Sequence, residues 1–176
     1  MAGPAELLRD FVNTCDLAAD TDELSSPAEL ALWLRDRGLA GTGDRASDED
    51  LGTALVLREG LRAALGRGPY ELPVLPLVVV AGDTPKLSPA EEGVRGALAM
   101  ISVAVVESQG DASWARLKVC GETGCRWAFV DSSKNRSRSW CSMRICGNRA
   151  KTRAYRARRH GESGSRHRQA SITDTV

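Results

Sequence analysis

The spacing of apolar residues predicts an amphipathic helix near the start of the chain. Apolar side chains recur at i, i+3, i+4 and i+7, with Leu7 beside them, at Leu8, Phe11, Val12 and Cys15. This is the period of a helix with one buried face. Cys15 is far in sequence from the other cysteines and shares this apolar stripe. We therefore expect its thiol to pack in the core rather than to bind a ligand.

Two further helices are predicted from capping signals and leucine spacing. Ser26 can cap a helix over residues 27–37, and Pro27 suits its first turn. A longer helix is expected over residues 48–66, where leucines fall near one broad face. Gly66 and Gly68 supply the stop signal for that helix.

The next segment has a different pattern. Residues 77–81 are rich in valine and are bounded by Pro76 and the turn-like pair Gly82-Asp83, which predicts a buried strand. Ser88-Pro89-Ala90-Glu91 then resembles a helix start, and apolar residues continue to Val106. No apolar run reaches the roughly 20 residues that span a membrane, and residues 1–11 do not resemble a secretory leader. We therefore expect a cytoplasmic protein with no membrane partner, whose thiols are reduced or metal-bound.

The net charge of +1 hides a strong asymmetry along the chain. Residues 1–113 hold 9 basic and 19 acidic side chains, a net charge of −10. Residues 114–176 hold 15 basic and 4 acidic side chains, a net charge of +11. Such asymmetry indicates either a polyanionic partner for the basic half or mutual attraction between the halves. This change from net negative to net positive charge predicts a module boundary near residues 110–113.

Four cysteines in the basic half form two equally spaced pairs. The pattern is Cys-x4-Cys-x15-Cys-x4-Cys, at Cys120, Cys125, Cys141 and Cys146. It predicts one structural zinc ion per chain, held by four thiolates, and the alternatives are two disulfides, a thiol redox switch or an iron–sulfur cluster. We expect positive φ angles at the glycines of the first pair, Gly121 and Gly124.

The second cysteine pair predicts how the site joins the following helix. Residues five apart on a helix differ by about 140°, so both thiols cannot face one metal from a regular helix. Cys141 should therefore precede the helix and Cys146 should lie in its first turn, which is a treble-clef-like arrangement. Trp127, Phe129 and Val130 suggest a strand beside the site, and residues 131–135 suggest a turn.

The segment after the cluster predicts a strongly basic helix. Met143, Cys146, Ala150, Ala154 and Ala157 fall on one stripe, which we expect to pack inward. From Arg144 to Arg159 the helix holds seven basic side chains and no acidic one. Exposed helices usually mix both signs, so this pattern favours an anionic partner, with phosphate preferred to an acidic protein surface. The predicted nucleic-acid-binding residues are Lys134, Arg136, Arg138, Arg144, Asn148, Arg149, Lys151, Arg153, Arg156 and Arg158.

Residues 120–151 resemble the CGNR zinc finger family of bacteria. The shared run is C-x4-C-x3-F-x-D-x-S-K-N-x-x-R-x-W-C-S-M-x-x-C-G-N-R-x-K. Upstream, residues 10–14 and 57–62 are similar to segments of the N-terminal domain that accompanies this finger. The resemblance implies a DNA-binding transcription regulator of stress responses with zinc on the four cysteines. Asn148 and Arg149 match the family's polar pair beside the metal, although Asn148 could equally cap or brace the knuckle.

The resemblance also suggests that Asn13 and Arg58 belong to an effector pocket for a small molecule. A buried hydrogen bond between helices explains these two residues equally well, and the sequence does not separate the alternatives.

These patterns together predict a mainly helical α+β protein. We expect an N-terminal regulatory, sensor or dimerisation domain at 1–113, helical with a small sheet. A treble-clef-like zinc finger with a long C-terminal helix is expected at 114–160, and a disordered tail at 161–176. The predicted function is zinc-dependent DNA binding in transcription regulation, with a homodimer formed through the N-terminal domain. The alternatives are a protein–protein interaction module and an RNA-binding protein. An enzyme is not expected, because four thiolates leave zinc no open coordination position.

Overall fold

The computed structural model describes residues 3–169, with side chains through residue 159. The chain divides into two compact units, the first through Cys141 and the second from Ser142. The helices of the first unit are α1 (Pro4–Val12), α2 (Pro27–Asp36), α3 (Asp48–Leu65) and α4 (Gly93–Gly110). Its strands are β1 (Cys15–Asp16), β2 (Thr21–Asp22), β3 (Leu77–Val80), β4 (Lys86–Pro89), β5 (Leu117–Val119) and β6 (Ala128–Val130). The strands form three two-stranded antiparallel sheets, β1–β2, β3–β4 and β5–β6.

The core of the first unit is built around α4. This helix is apolar on most sides because Ala97–Val106 is apolar except for Ser102, and it packs against α1, α2 and α3. Leu8, Phe11 and Leu98 are fully buried. Leu117, Val119 and Ala128 from the β5–β6 hairpin belong to the same apolar cluster. The hairpin that carries the first cysteine pair is therefore continuous with the helical core.

Capping sets the starts of α2 and α3, and the cap of α2 is the predicted residue, Ser26. The Ser26 hydroxyl accepts from the Glu29 N–H at 3.3 Å. Ser47 and Asp50 form a reciprocal capping box at the start of α3. The other end of α3 closes with hydrogen bonds from the Arg67 and Gly68 N–H groups to Ala64 and Ala63. In that closing turn Arg67 has a positive φ of 60°, at the position where glycine is usual.

Three predictions differ from the structure in the first unit. Helix α1 ends at Val12, so Cys15 lies half-buried in β1 rather than on the helix. The valine-rich strand forms as β3 but is exposed, with Val79 at 69%. The reason is that β4 packs against α4, whereas β3 pairs with β4 and is left exposed to solvent. Ser88 and Pro89 belong to β4, and the helix begins later, at Gly93, whose φ is +65°.

The second unit begins with a π-helical turn, Met143–Gly147, and continues as α5, Asn148–Gln169. Cys146 and Gly147 are buried, whereas Met143, Ala154 and Ala157 are exposed and Ala150 is half-buried. The predicted inward stripe is therefore wrong at Met143, Ala154 and Ala157. Helix α5 enters the segment predicted to be a disordered tail, and residues 170–176 of that tail lie outside the described residues. No described helix is both long and apolar enough to cross a membrane.

Candidate metal centre and nucleic-acid interface

The first cysteine pair lies in a tight turn between β5 and β6. The Cys120 N–H donates to Trp127 O at 2.8 Å, and the Cys125 N–H donates to Glu122 O at 2.9 Å. Neither glycine of the turn has a positive φ, which corrects that expectation, and Arg126 instead has φ of 53°. Gly121 has a different use: a Cβ there would lie 3.1 Å from Ser139 O, so glycine permits the close approach of the chain that leads to Cys141.

The second pair confirms the predicted relation to the helix. Cys141 precedes the π-helical turn and Cys146 lies inside it. Ser142 organises this turn, because its carbonyl accepts from the N–H groups of Cys146 at 2.9 Å and Gly147 at 3.1 Å. Its hydroxyl also accepts from the Ile145 N–H at 3.3 Å. Single π turns of this kind occur frequently at functional sites.

The four cysteine sulfurs fit one metal ion. They all lie within 4.8 Å of one another, and Cys125 Sγ is 3.7 Å from Cys141 Sγ. Tetrahedral zinc with Zn–S bonds of about 2.3 Å places its sulfurs at about this spacing, whereas a disulfide requires about 2.05 Å. No disulfide bond joins any of the five cysteines, all of which lie in the described part of the chain. Cys120, Cys125, Cys141 and Cys146 therefore form a site for one zinc ion, and disulfide pairing is excluded in this state.

Residues of the N-terminal helices hold the strand beside the first pair. The Asn13 side chain donates to Ala128 O at 2.9 Å and accepts from the Ala128 N–H at 2.7 Å. The buried Arg62 guanidinium donates to Arg126 O at 3.1 Å and to Val12 O at 2.6 Å. Arg62 is not among the residues predicted from the sequence. Its position four residues after Arg58 on the leucine face of α3 could have identified a buried arginine pair.

Asp131 organises the loop that leads to the second pair. It is fully buried and accepts from Ser133 Oγ at 2.6 Å, from the Arg138 N–H at 3.0 Å and from Lys118 Nζ at 2.7 Å. Burial alone would raise the pKa of Asp131, but these hydrogen bonds outweigh burial and hold it far below its usual value. Asp131 and Lys118 support the site but were not predicted from the sequence, since only their contacts distinguish them from surface charges.

The predicted nucleic-acid-binding residues lie in the loop and on α5. Lys134 and Arg136 are exposed in the loop. Arg138 also lies there, but its guanidinium donates to Cys141 O at 2.7 Å and stacks over Phe129. Lys151 and Arg158 are exposed elsewhere on the helix. One face of the second unit forms a shallow groove whose lining includes Arg144, Asn148, Arg149, Thr152, Arg153 and Arg156.

Asn148 has a local structural contact at the start of α5. Its side-chain amide donates to Arg144 O at 2.9 Å, one turn earlier. This contact braces the π-helical turn that contains Cys146, while the residue remains exposed on the groove. Asn148 can therefore both stabilise the metal site and face a ligand.

The two predicted effector residues both have partners inside the protein. Besides contacting Ala128, Asn13 lines a cavity of about 510 Å³ with Arg9, Glu23 and Arg37. Arg58 is buried and forms a two-point ion pair with Asp22, at 2.7 and 2.8 Å. Burial would raise the pKa of Asp22, yet the Arg58 hydrogen bonds lower it. An effector site at these residues stays a prediction.

Two family models match the chain, and they meet at residue 116. Residues 5–116 match ABATE, described as a putative stress-induced transcription regulator. Residues 116–159 match the CGNR zinc finger. Among curated proteins, no similar sequence was found. The matches place the four clustered cysteines within the segment that the zinc-finger model covers.

Proposed function

We propose that this chain, which belongs to the ABATE family of putative stress-induced transcription regulators and carries a CGNR zinc finger, binds DNA through α5. The observation that carries the proposal is the charge of the segment formed by the π-helical turn and α5 up to Arg159, the last residue whose side chain the structure describes. Seven basic side chains and no acidic one lie between Arg144 and Arg159. A helix of this composition is destabilised by repulsion unless an anion neutralises it. A cytoplasmic location in the cell belongs to the same proposal.

The exposure of α5 supports this role. Every described side chain from Lys151 to Arg159 is exposed, so this stretch presents basic groups on all sides. Arg149, Arg153 and Arg156 lie at spacings of four and three residues, which places them along one face. An α-helix fits the major groove of B-DNA, which is about 12 Å wide. In the proposed complex these arginines contact phosphates and fix the register of the helix.

The metal site would position the helix rather than perform chemistry. Four thiolate ligands complete the tetrahedral coordination of zinc, which supplies folding stability to small domains. The π-helical turn held by Ser142 connects Cys146 directly to the first residue of α5. A site without an open coordination position favours a binding protein over an enzyme.

The test is a titration of labelled mixed-sequence duplex DNA with zinc-loaded protein across a salt series. With about 6–10 phosphate contacts, we expect affinity to fall about 10³–10⁵-fold between roughly 50 and 200 mM salt. Arg149→Ala/Arg153→Ala should weaken binding and reduce the magnitude of the salt slope by about 2. Arg45→Ala/Lys86→Ala removes the same charge from exposed positions in the first unit and should leave binding unchanged.

Three outcomes would overturn the proposal. Equal losses in the two double variants would show that net charge, not α5, determines binding. Preferential displacement of the duplex by structured RNA would assign the helix to RNA instead. Binding that barely responds to salt would favour an acidic protein partner.

The exposed edge of β3 supports the homodimer that the sequence predicts. Strand β4 is protected against further pairing by Pro85, Lys86 and Pro89, whereas β3 is Leu-Val-Val-Val without charge or proline. Two copies of β3 could pair antiparallel without placing like charges opposite each other. We expect Val79→Lys to shift sedimentation from dimer to monomer, while Val56→Lys, at an exposed position on α3, leaves it unchanged. A wild-type monomer at high concentration would refute this dimer.

A further inference from the structure

A second basic surface lies in the first unit, outside the predicted nucleic-acid-binding helix. It is a groove of about 480 Å³ between the end of α3, the Trp114–Arg116 turn and the first cysteine pair. Four cationic side chains line it, Arg67, Lys118, Arg126 and Arg138. Among the described residues its lining includes no carboxylate. The groove is therefore suited to an anion of small-molecule size.

Two of these cations have no partner within the described part of the chain. Lys118 is paired with Asp131, and Arg138 is bound to Cys141 O. The guanidinium groups of Arg67 and Arg126, in contrast, make no hydrogen bond or ion pair with any residue that the structure describes. Arg67 is exposed and Arg126 is half-buried, so both guanidinium groups are accessible to a ligand. A planar guanidinium matches phosphate in a two-point contact.

The backbone at both arginines is in the left-handed region. Arg67 has φ of 60° and Arg126 has φ of 53°, a conformation that costs a non-glycine residue about 1–2 kcal/mol. Glycine would relieve this cost at either position, and it flanks Arg67 on both sides. Gly66 also makes room for the second arginine, because a Cβ there would lie 2.6 Å from Arg126 Nη2. Residues with strained backbone cluster at ligand-binding and active sites, and here two of them line one groove.

The end of α3 explains only part of this charge. A helix C-terminus carries about half a negative charge, which favours nearby cations. Arg67 and Arg126 together carry two positive charges, and neither guanidinium bonds the terminal carbonyls. The half-exposed ring of Trp114 lines the same groove and offers a planar apolar surface beside the cations.

We propose that this groove binds a phosphorylated small molecule, with Arg67 and Arg126 on the phosphate and Trp114 against an unsaturated ring. A mononucleotide has this combination of groups. The proposal does not depend on DNA binding by α5, and failure of either leaves the other standing.

The test is calorimetric titration of the zinc-loaded full chain with adenosine monophosphate and, separately, with inorganic phosphate. We expect the nucleotide to bind at least tenfold more tightly than phosphate, because only the nucleotide reaches Trp114. Arg67→Gln/Arg126→Gln should weaken nucleotide binding at least tenfold. Arg45→Gln/Lys86→Gln, which removes the same charge elsewhere, should not. Arg67→Gln alone should weaken binding too, and it keeps the test valid if Arg126→Gln reduces the zinc content.

Three results would overturn the proposal. The first is absence of nucleotide binding at millimolar concentration. The second is unchanged nucleotide binding in both Arg67→Gln and the double variant. The third is a loss of duplex DNA affinity in the double variant without any nucleotide binding, which would identify the groove as a contact for the nucleic-acid backbone.

Discussion

Asn13 illustrates how a single polar side chain connects two segments that are distant in sequence. It is nearly buried, and its amide satisfies both the N–H and the C=O of Ala128. Removal of the amide leaves two backbone groups without partners in a site with little access to water. The free-energy cost of an unsatisfied buried group is about 1–3 kcal/mol. The residue therefore has a structural role whether or not it also contacts an effector.

We predict that Asn13→Ala lowers the free energy of unfolding by roughly 2–4 kcal/mol. Urea denaturation of the zinc-loaded protein measures this change. Asn135→Ala removes the same side chain at an exposed position and should change stability by less than about 0.5 kcal/mol. An equally small change in stability for Asn13→Ala would show that water hydrogen-bonds the Ala128 backbone in place of the Asn13 amide.

The Arg58–Asp22 pair makes a second prediction, which concerns pH. The pKa of Asp22 is below its unfolded value of about 3.9, so the pair stabilises the fold above about pH 4. That stabilisation is lost as pH falls below 4 toward the folded pKa. Asp22→Asn should lower the free energy of unfolding by roughly 2 kcal/mol at pH 7. This decrease is smaller than the one expected for a fully buried pair, because the Asp22 side chain is one-third exposed.

Denaturation at pH 7 and pH 3 tests this prediction, because the difference between wild type and Asp22→Asn should shrink at the lower pH. Zinc affinity falls at pH 3 in both proteins, so its effect on stability cancels in the difference between them. A difference that is independent of pH would show that the carboxylate charge contributes nothing to the pair.

Helix α3 shows that two glycines in one element can have opposite roles. A Cβ at Gly52 would meet no atom within 4 Å. A Cβ at Gly60 would overlap the carbonyl oxygen of Glu71 and lie 2.7 Å from Leu72 Cδ2. The second glycine therefore allows residues 71–72 to cross the helix closely.

We predict that Gly52→Ala raises the free energy of unfolding by about 0.5–1 kcal/mol, through helix propensity. Gly60→Ala should lower it by about 1–3 kcal/mol, because overlap with backbone outweighs propensity. Chemical denaturation of both variants provides the comparison. If both substitutions raised the free energy of unfolding, residues 71–72 would have to move away from position 60 without loss of stability.

At the scale of helices and strands, the sequence predicts where an element forms better than it predicts which residues pack against that element. The helices over 27–37 and 48–66 were predictable because the Ser26 cap, the leucine spacing and the glycines near 66 are local signals. The exposure of β3 was not predictable, because a valine run has the same pattern whether its neighbours cover it or not. Only the packing of β4 against α4 determines that β3 lies outside.

For the whole molecule, the metal site and the helical core of the first unit depend on each other. Strand β6 packs against α1, and Asn13 and Arg62 bond the backbone at residues 128 and 126. Loss of metal at Cys120, Cys125 and Cys141 should therefore destabilise more than the turns that hold the cysteines.

We predict that chelation of zinc lowers the hydrogen-exchange protection of α1 and the β5–β6 hairpin together. Mass spectrometry of exchange before and after chelation measures both segments in one sample. The β3–β4 sheet, which is separate from the β5–β6 hairpin, provides an internal control, because its protection should be the same in both states. Unchanged protection of α1 would mean that the helical core is stable without the metal.

The cysteine spacing was sufficient to predict the ligands, because four thiolates in two pairs suit few other structures. The supports of the site were not predictable from spacing. Asp131, Lys118 and Arg62 are ordinary charged residues in the sequence, and their roles come from contacts over 13 to 64 residues. The groove at Arg67 and Arg126 was missed for the same reason.

Cys15 has a practical consequence. It is the one cysteine outside the cluster, and burial raises the pKa of its thiol, so little of it is the reactive thiolate at neutral pH. An alkylating reagent should therefore modify at most this one thiol, slowly, while the other four sulfurs hold metal. In unfolded, metal-free protein it should modify all five. The number of alkylated thiols per chain thus reports directly what fraction of the protein in a preparation holds zinc.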